Sequence, residues 1–457
     1  MLRKFLTGLR QNHFLRAIST TFLLNIGFAG LTFALTIVLA RTLGSTELGA
    51  YNYAETWVEV LLLIALLGFN QLLVRKMPAY QVQQRWDLWN GIQKFAIRSS
   101  FLFSILLALL FVAIIWMLFG TNSFTFSTDN FPQIILEPKN SLIIQVCIIA
   151  AFLLPIRAII VIQQSILHGM GYIASGLIPD YFLRVGGHFL VLLFLILLTS
   201  YSLSANIVMG AHFFVALFTA FVGWVMIRKW RLPEAQSVPA IYEAPKWLFT
   251  NLGFITNSLA TLLTSRMNIL ILGAFTTLDQ IGYYGVVLRI VAVIVLAQTA
   301  TNAVLRPRIA QLFAEKKADE LQDLITLGVR SVVIVSFPIG VAFILFGRFI
   351  LELFGSEFVV AYPMLIVMCI GQMMNTFSGP VGNLLTMTKY EWEQSFASLF
   401  VLVISFIFAL ILIPLYGGLG AAIATAIGFA IRNFVLVGVV YWRLKIWSLP
   451  FSIKRTF

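Results

Sequence analysis

A chain of 457 residues with only 11% Asp, Glu, Lys and Arg, 60% hydrophobic residues and a mean hydropathy of +0.95 is not an ordinary soluble protein, where charged residues approach a quarter. Its 31 Lys and Arg against 18 Asp and Glu leave +13; in a soluble protein that balance points to nucleic acid, whereas in a bilayer its meaning depends on where the cations sit. Cys147 and Cys369 lie in apolar stretches without zinc or Cys-x-x-Cys spacing, no H-E-x-x-H occurs, and no Gly-Lys pair exists for a phosphate-binding loop, which argues against a disulfide scaffold, a metal site and a self-contained ATPase or zinc hydrolase.

About 20 apolar residues cross the hydrocarbon core as a helix, and the long unbroken runs exclude a barrel. The predicted helices of the first half cover residues 18–40, 48–73, 95–119, 141–166, 177–199 and 204–227. Those of the second half cover 248–274, 281–305, 331–346, 359–385, 394–414 and 418–440. The expected fold class is therefore an all-α polytopic membrane protein with twelve transmembrane helices. The basic start, with Arg3, Lys4, Arg10 and Arg16, precedes a run too long for a signal peptide, so the first helix is expected to be retained in spite of a passable cleavage site at Val38-Leu39-Ala40.

Cytoplasmic loops carry the excess of Lys and Arg. With the N-terminus inside, the inner segments hold 23 of the 31 basic residues and the outer ones only Arg41, Lys139 and Arg348. That ratio predicts an even number of spans and both termini on the cytoplasmic side of a cell membrane, and it leaves no role for nucleic acid. Trp86, Trp89, Trp116, Trp224, Trp230, Trp247, Trp392, Trp442 and Trp447 fall near predicted helix ends, where indole rings anchor at the interface. The largest outer loop, 120–140, offers Asp129, Glu137 and Lys139 without a catalytic constellation, so the expectation is a transporter and not an enzyme, with a membrane-embedded glycan polymerase or ligase the less favoured reading.

The chain repeats itself. Leu43-Gly44-Ser45-Thr46-Glu47-Leu48-Gly49-Ala50-Tyr51 follows the first helix, and Thr276-Thr277-Leu278-Asp279-Gln280-Ile281-Gly282-Tyr283-Tyr284 follows the seventh. Gly49 aligns with Gly282, Tyr51 with Tyr284 and Arg75 with Arg308, and Trp230-Arg231-Leu232-Pro233 is answered by Trp447-Ser448-Leu449-Pro450. A Gly at such a place has a plain reading as a tight turn. Six spans per half make the repeat parallel, which divides the chain into an N-terminal lobe at 1–230, a cytoplasmic linker at 231–247 and a C-terminal lobe at 248–457, with substrate expected at the junction of the halves.

The stretch Leu39-Ala40-Arg41-Thr42-Leu43-Gly44-Ser45-Thr46-Glu47-Leu48-Gly49-Ala50-Tyr51, with the helix ending Gly68-Phe69-Asn70-Gln71-Leu72-Leu73-Val74-Arg75, resembles the start of polysaccharide exporters and Wzx-type lipid-linked oligosaccharide (O-antigen) flippases. These belong to the MATE-like multidrug/oligosaccharidyl-lipid/polysaccharide (MOP) superfamily. The resemblance implies a flippase that moves a polyprenyl-diphosphate-linked oligosaccharide, such as an O-antigen or other surface-polysaccharide repeat unit, across the cytoplasmic membrane by alternating access. Its partners would be membrane lipids, a glycan polymerase and chain-length proteins. No cofactor is implied beyond a proton or sodium gradient. The rival within the superfamily is a MATE-type multidrug/cation antiporter.

Ionisable groups inside a span usually face a bundle interior or a wet cavity. Here they are Glu55, Glu59, Arg157, Asp180, Arg184, Arg266, Arg289 and Arg432. The five arginines are candidate contacts for an anionic head group, because the guanidinium fork pairs bidentately with phosphate and stays charged. Glu55, Glu59 and Asp180 are candidate coupling or gating carboxylates. Plainer readings stand beside these: Glu55 and Glu59 tied to Arg289 or Arg266, Asp180 paired locally with Arg184 four residues on, and Arg157 and Arg432 snorkelling to the interface. Asn25, Gln71, Gln163, Gln164, Asn257, Asn268, Gln298, Asn302, Gln372 and Asn375 are candidates either for sugar hydroxyls or for bridging helices.

Overall fold

The computed structural model describes residues 2–119, 140–198, 203–235, 238–388 and 390–450. The predicted outer loop at 120–140 falls almost wholly outside the described residues, as do the side chains of Asn257 and Ser258. The described chain is helical: α1 Leu2–Ala65, α2 Phe69–Val82, α3 Trp86–Phe119, α4 Asn140–Gly169, α5 Ile173–Ile178, a π-helical segment Pro179–Gly186, α6 Gly187–Leu198 and α7 Ala205–Lys229. After a linker come α8 Ala244–Phe275, α9 Leu278–Ala314, α10 Ala318–Leu345, α11 Gly347–Glu352, α12 Tyr362–Phe377, α13 Val381–Met387 and α14 Glu391–Leu444.

Nine described helical stretches are long and apolar enough to cross a membrane. Two of them are double crossings, because α1 breaks at Gly44 (φ 70°, ψ 179°) and α14 at Gly417 (φ 58°, ψ −132°). These are backbone conformations that side chains beyond glycine rarely adopt. With α8 the result is the twelve-helix, multi-pass membrane architecture expected from the runs. Two predicted spans are interrupted. The second breaks at Leu67 and Gly68, both at positive φ, and the tenth breaks between α12 and α13 at Gly379 and Pro380. Apolar composition cannot report such breaks, since a broken helix buries the same residues as a straight one.

Contacts divide the chain into two compact units. Of the described residues, the first takes those up to Leu43 and from Tyr53 to Leu259; the second takes Gly44–Asn52 and those from Ala260 onward. In the first unit the fully buried core is built by Leu72, Leu73 and Met77 of α2, Ile92 of α3, and Leu153, Leu154, Ile162 and Ile166 of α4. In the second, Ile309, Ile325, Val329, Leu384, Leu385, Leu436 and Val440 form a core where α9, α10, α13 and α14 meet.

The two repeated turns pack against each other inside the second unit. A Cβ on Gly49 would overlap the carbonyl oxygen of Leu278, and one on Gly282 would overlap that of Ser45. The tight turn expected of this Gly pair is made instead by Gly44; Gly49 and Gly282 sit in helices and permit backbone contact. Glu357 closes the turn: its Oε1 accepts from the Ser45 N–H at 2.8 Å and its Oε2 from the Ser45 hydroxyl at 3.1 Å. Thr46 donates its hydroxyl to Asp279.

Each unit also straps down the segment that follows its last helix. Asn90, the fifth residue of α3, donates to the carbonyls of Ala235 and Val238 at 2.7 and 3.0 Å and accepts from Arg231 at 2.9 Å. Gln322, the fifth residue of α10, donates to the Trp447 carbonyl and accepts from the Trp447 N–H, both at 2.7 Å. The Trp-x-Leu-Pro repeats are thus held by amide side chains at matching places. Trp89 and Trp247 are fully buried within the protein; Trp247 donates to the Tyr80 hydroxyl at 3.1 Å and packs on Phe95. Asn90→Ala is expected to destabilise the detergent-solubilised protein by about 1–3 kcal/mol, the cost of unsatisfied buried polar groups, read as a lower melting temperature.

Candidate functional site

In the first unit three helical segments, α1, α4 and the π-helical turn, bring Glu55, Arg157, Asp180 and Arg184 into one buried cluster. Arg157 Nη1 lies 3.2 Å from Glu55 Oε1, and Arg184 Nε lies 2.6 Å from Asp180 Oδ1. The four side chains are only 9–16% exposed. Two histidines that the sequence reading passed over complete it. The Nε2 of His212 on α7 is 3.2 Å from Arg184 Nη1, its Nδ1 is 3.7 Å from Glu55 Oε2, and its ring stacks on His188 at 4.8 Å.

The local chain explains the placement. Asp180, Arg184 and His188 recur every four residues, which lines them along one side of a helix; that spacing was the available signal for His188. The π-helical turn at Pro179–Gly186 carries the first two, and such turns are frequent at functional sites. Arginine only donates, so the His212 Nε2 facing it must be the acceptor, which puts the proton on Nδ1 toward Glu55. A second proton on His212 would direct an N–H at a guanidinium. The cluster therefore balances two cations with two carboxylates around a neutral imidazole, the arrangement that makes charge tolerable at membrane depth. Glu55 takes Arg157 and His212 of its own unit. Glu59 stands one turn further along α1, half-buried.

The second unit has a different character. No Asp or Glu occurs in residues 244–278, 280–314, 324–351, 358–390 or 394–444, so its carboxylates are confined to helix ends. Within those stretches lie Arg266 on α8, Arg289 on α9 and Arg432 on α14. Around them runs a band of neutral polar groups. Asn268 donates to Thr425 at 2.6 Å, the Tyr284 and Thr425 hydroxyls are 2.9 Å apart, and Asn433 donates to Asn375 at 3.0 Å. Gln372 is buried, and its Nε2 makes no hydrogen bond among the described residues. Thr425 and Arg432, seven apart, share a face of α14. Half-buried Arg432 has no ion-pair or hydrogen-bond partner among the described residues.

The candidate arginines thus fall into two classes. Arg157 and Arg184 sit in ion pairs with carboxylates of their own unit, whereas Arg266, Arg289 and Arg432 lie in helical stretches that carry no Asp or Glu. Of the candidate amides, Gln163 bridges to the Ala220 carbonyl at 2.9 Å and Asn25 accepts from the Tyr181 hydroxyl at 3.2 Å, both ties between helices. Gln298 and Asn302 line a small cleft with Thr376 and Pro380. No cluster of metal-ligating side chains occurs among the described residues.

Solved structures share this fold. An inward-facing multidrug-resistance MATE family transporter of the MOP superfamily superposes with a TM-score of 0.74 at 13% identity, covering 91% of this chain and 94% of that one. The lipid II flippase MurJ, in an inward closed conformation, gives 0.70 at 16% identity, covering 92% and 87%. In sequence, a probable low-salt glycan biosynthesis flippase, Agl15 of Haloferax volcanii, is 23% identical over 221 residues, 48% of this chain and 47% of the relative. The alignment thus spans about half the length of that curated relative. Residues 14–313 match the family described as polysaccharide biosynthesis protein, and the chain belongs to that family.

Proposed function

We propose that the protein is a flippase that moves a polyprenyl-diphosphate-linked oligosaccharide from the inner to the outer leaflet of the cytoplasmic membrane by alternating access, with both termini on the cytoplasmic side. The observation that carries this reading is the second unit's charge: three intramembrane arginines, Arg266, Arg289 and Arg432, on helices whose only carboxylates lie at their ends. A cation carrier would want the opposite sign. A diphosphate matches the guanidinium fork, and the neighbouring amides and hydroxyls of Asn268, Thr425, Asn375 and Asn433 suit sugar hydroxyls. The name of the Haloferax relative, a probable glycan-biosynthesis flippase, supports the same class, and an O-antigen or other surface-polysaccharide repeat unit is the cargo this reading favours. Glycan polymerase and chain-length proteins would then act on the product outside.

The paired cluster of the first unit takes a separate role in this proposal. Arg157 and Arg184 are neutralised by Glu55 and Asp180, so they hold those carboxylates in place rather than meet cargo directly. Glu55, with His212 against it, is the group through which a proton gradient would act.

The reading is tested in a strain lacking the gene. Surface glycan is expected to disappear, to return with the intact gene, and to stay absent with Arg266→Glu produced at normal level in the membrane. Normal glycan in the deletion strain, with no paralogue to compensate, overturns it.

A further inference from the structure

On the first unit, α7 and the pair formed by the π-helical segment and α6 stand apart to leave a groove of about 870 Å³. Its eleven lining residues include no polar side chain. Gly210 and Ala211 form its floor, and a Cβ built on Gly210 meets nothing within 4 Å. Leu190, Phe214 and Phe218 form its banks and are 58–69% exposed. At one end Gly187 brings the two elements together, where an added Cβ would touch Val215 at 3.0 Å. We propose that this groove holds the isoprenoid chain of the lipid-linked substrate while its head group is handled by the polar interior, an inference that rests on the flippase reading above.

Three features select that occupant. The first is size. The lining runs from Leu183 to Leu195 and from Ile207 to Phe218, roughly 18 Å at about 1.5 Å per residue, which is close to the depth of one leaflet in a hydrocarbon core of about 30 Å. Spread over that length, a volume of about 870 Å³ leaves room for a methyl-branched chain lying along the groove.

The second is continuity with the charged cluster. Leu183, Gly187 and Ala211 of the groove are each followed in the chain by a cluster residue, Arg184, His188 and His212. The elements that line the groove outside carry the ionic network inside, so a chain seated in the groove presses on the helices that hold Asp180 and Arg184. The third is the π-helical turn Pro179–Gly186, whose Leu183 lines one end of the groove. In the orientation proposed above, that end lies toward mid-membrane and the end at Leu195 and Ile207 lies toward the outer leaflet.

The test uses the full chain in nanodiscs of phosphatidylethanolamine and phosphatidylglycerol, with a polyprenyl monophosphate carrying a diazirine on its isoprenoid chain. Illumination is expected to label peptides within 183–195 and 207–218. Excess unlabelled polyprenyl monophosphate should remove the label, and the same excess of phosphatidylglycerol should not. Gly210→Leu, which fills the floor without an internal clash, is expected to cut labelling about tenfold, the affinity that goes with about two buried methylenes. Phe214→Ala on the bank should reduce it as well and guards against a folding defect in the first variant. Equal competition by phosphatidylglycerol, or labelling unchanged in both variants, overturns the proposal. Label that is competed specifically but maps elsewhere overturns the groove and leaves the flippase reading standing. No specifically competed label at any site overturns both.

Discussion

Replacing Gly49 with alanine is expected to lower the melting temperature of the solubilised protein sharply, and Gly282→Ala is expected to do the same. At both places the new methyl group meets a backbone carbonyl, that of Leu278 or of Ser45, and not the end of a flexible side chain. Overpacking in a tight core costs about 1–3 kcal/mol when neighbours can shift. Here the neighbour is the start of another helix, pinned by Glu357 on the Ser45 N–H and hydroxyl and by Thr46 on Asp279, so the loss should reach ~3 kcal/mol or more. Gly30→Ala is the control: nothing lies within 4 Å of its added Cβ, and exchange of a helical Gly for Ala gains roughly 0.5–1 kcal/mol. A Gly49→Ala protein that melts with the wild type would show that the two turns do not bear on one another.

The same glycines show where sequence reading succeeds and where it stops. Alignment of Gly49 with Gly282 was legible because the repeat conserves a local pattern within one chain. That the two copies touch was not, because a one-dimensional repeat says nothing about which surfaces pack. The charges divide in the same way. Asp180 and Arg184 are four apart on one helix, so their pair could be read directly. Glu55 and Arg157 are 102 residues apart, and the polar register between helices is carried by apolar packing that composition does not encode; a tie from Glu55 to Arg266 or Arg289 fits the sequence as well, and the structure sets Arg157 against it. His212 had no visible signal, since a single histidine in an apolar run looks the same whether it fills space or completes a network. The helix count and the breaks at Gly44 and Gly417 follow from span length and from glycine in short turns, whereas the π-helical turn at Pro179 leaves no mark in hydropathy.

Glu55→Met is expected to cost about 3–5 kcal/mol, because it strands Arg157 and takes away the anion that faces the His212 Nδ1 in a buried site. Arg157→Leu alone should cost a similar amount by stranding Glu55. The pair of substitutions Glu55→Met and Arg157→Leu should recover most of the loss, since replacing a whole buried ion pair by apolar groups of similar size is often neutral or stabilising. Melting of the four proteins in detergent gives the coupling energy directly, and additive losses would mean that the 3.2 Å contact contributes nothing to the fold. The double variant then separates two roles that a single substitution confuses. A protein that melts normally, reaches the membrane and fails to restore surface glycan shows that Glu55 does something a well-packed methionine cannot, as a proton-carrying group must. If the double variant restores glycan fully, the ion pair only makes buried charge tolerable, and the coupling role proposed for Glu55 falls.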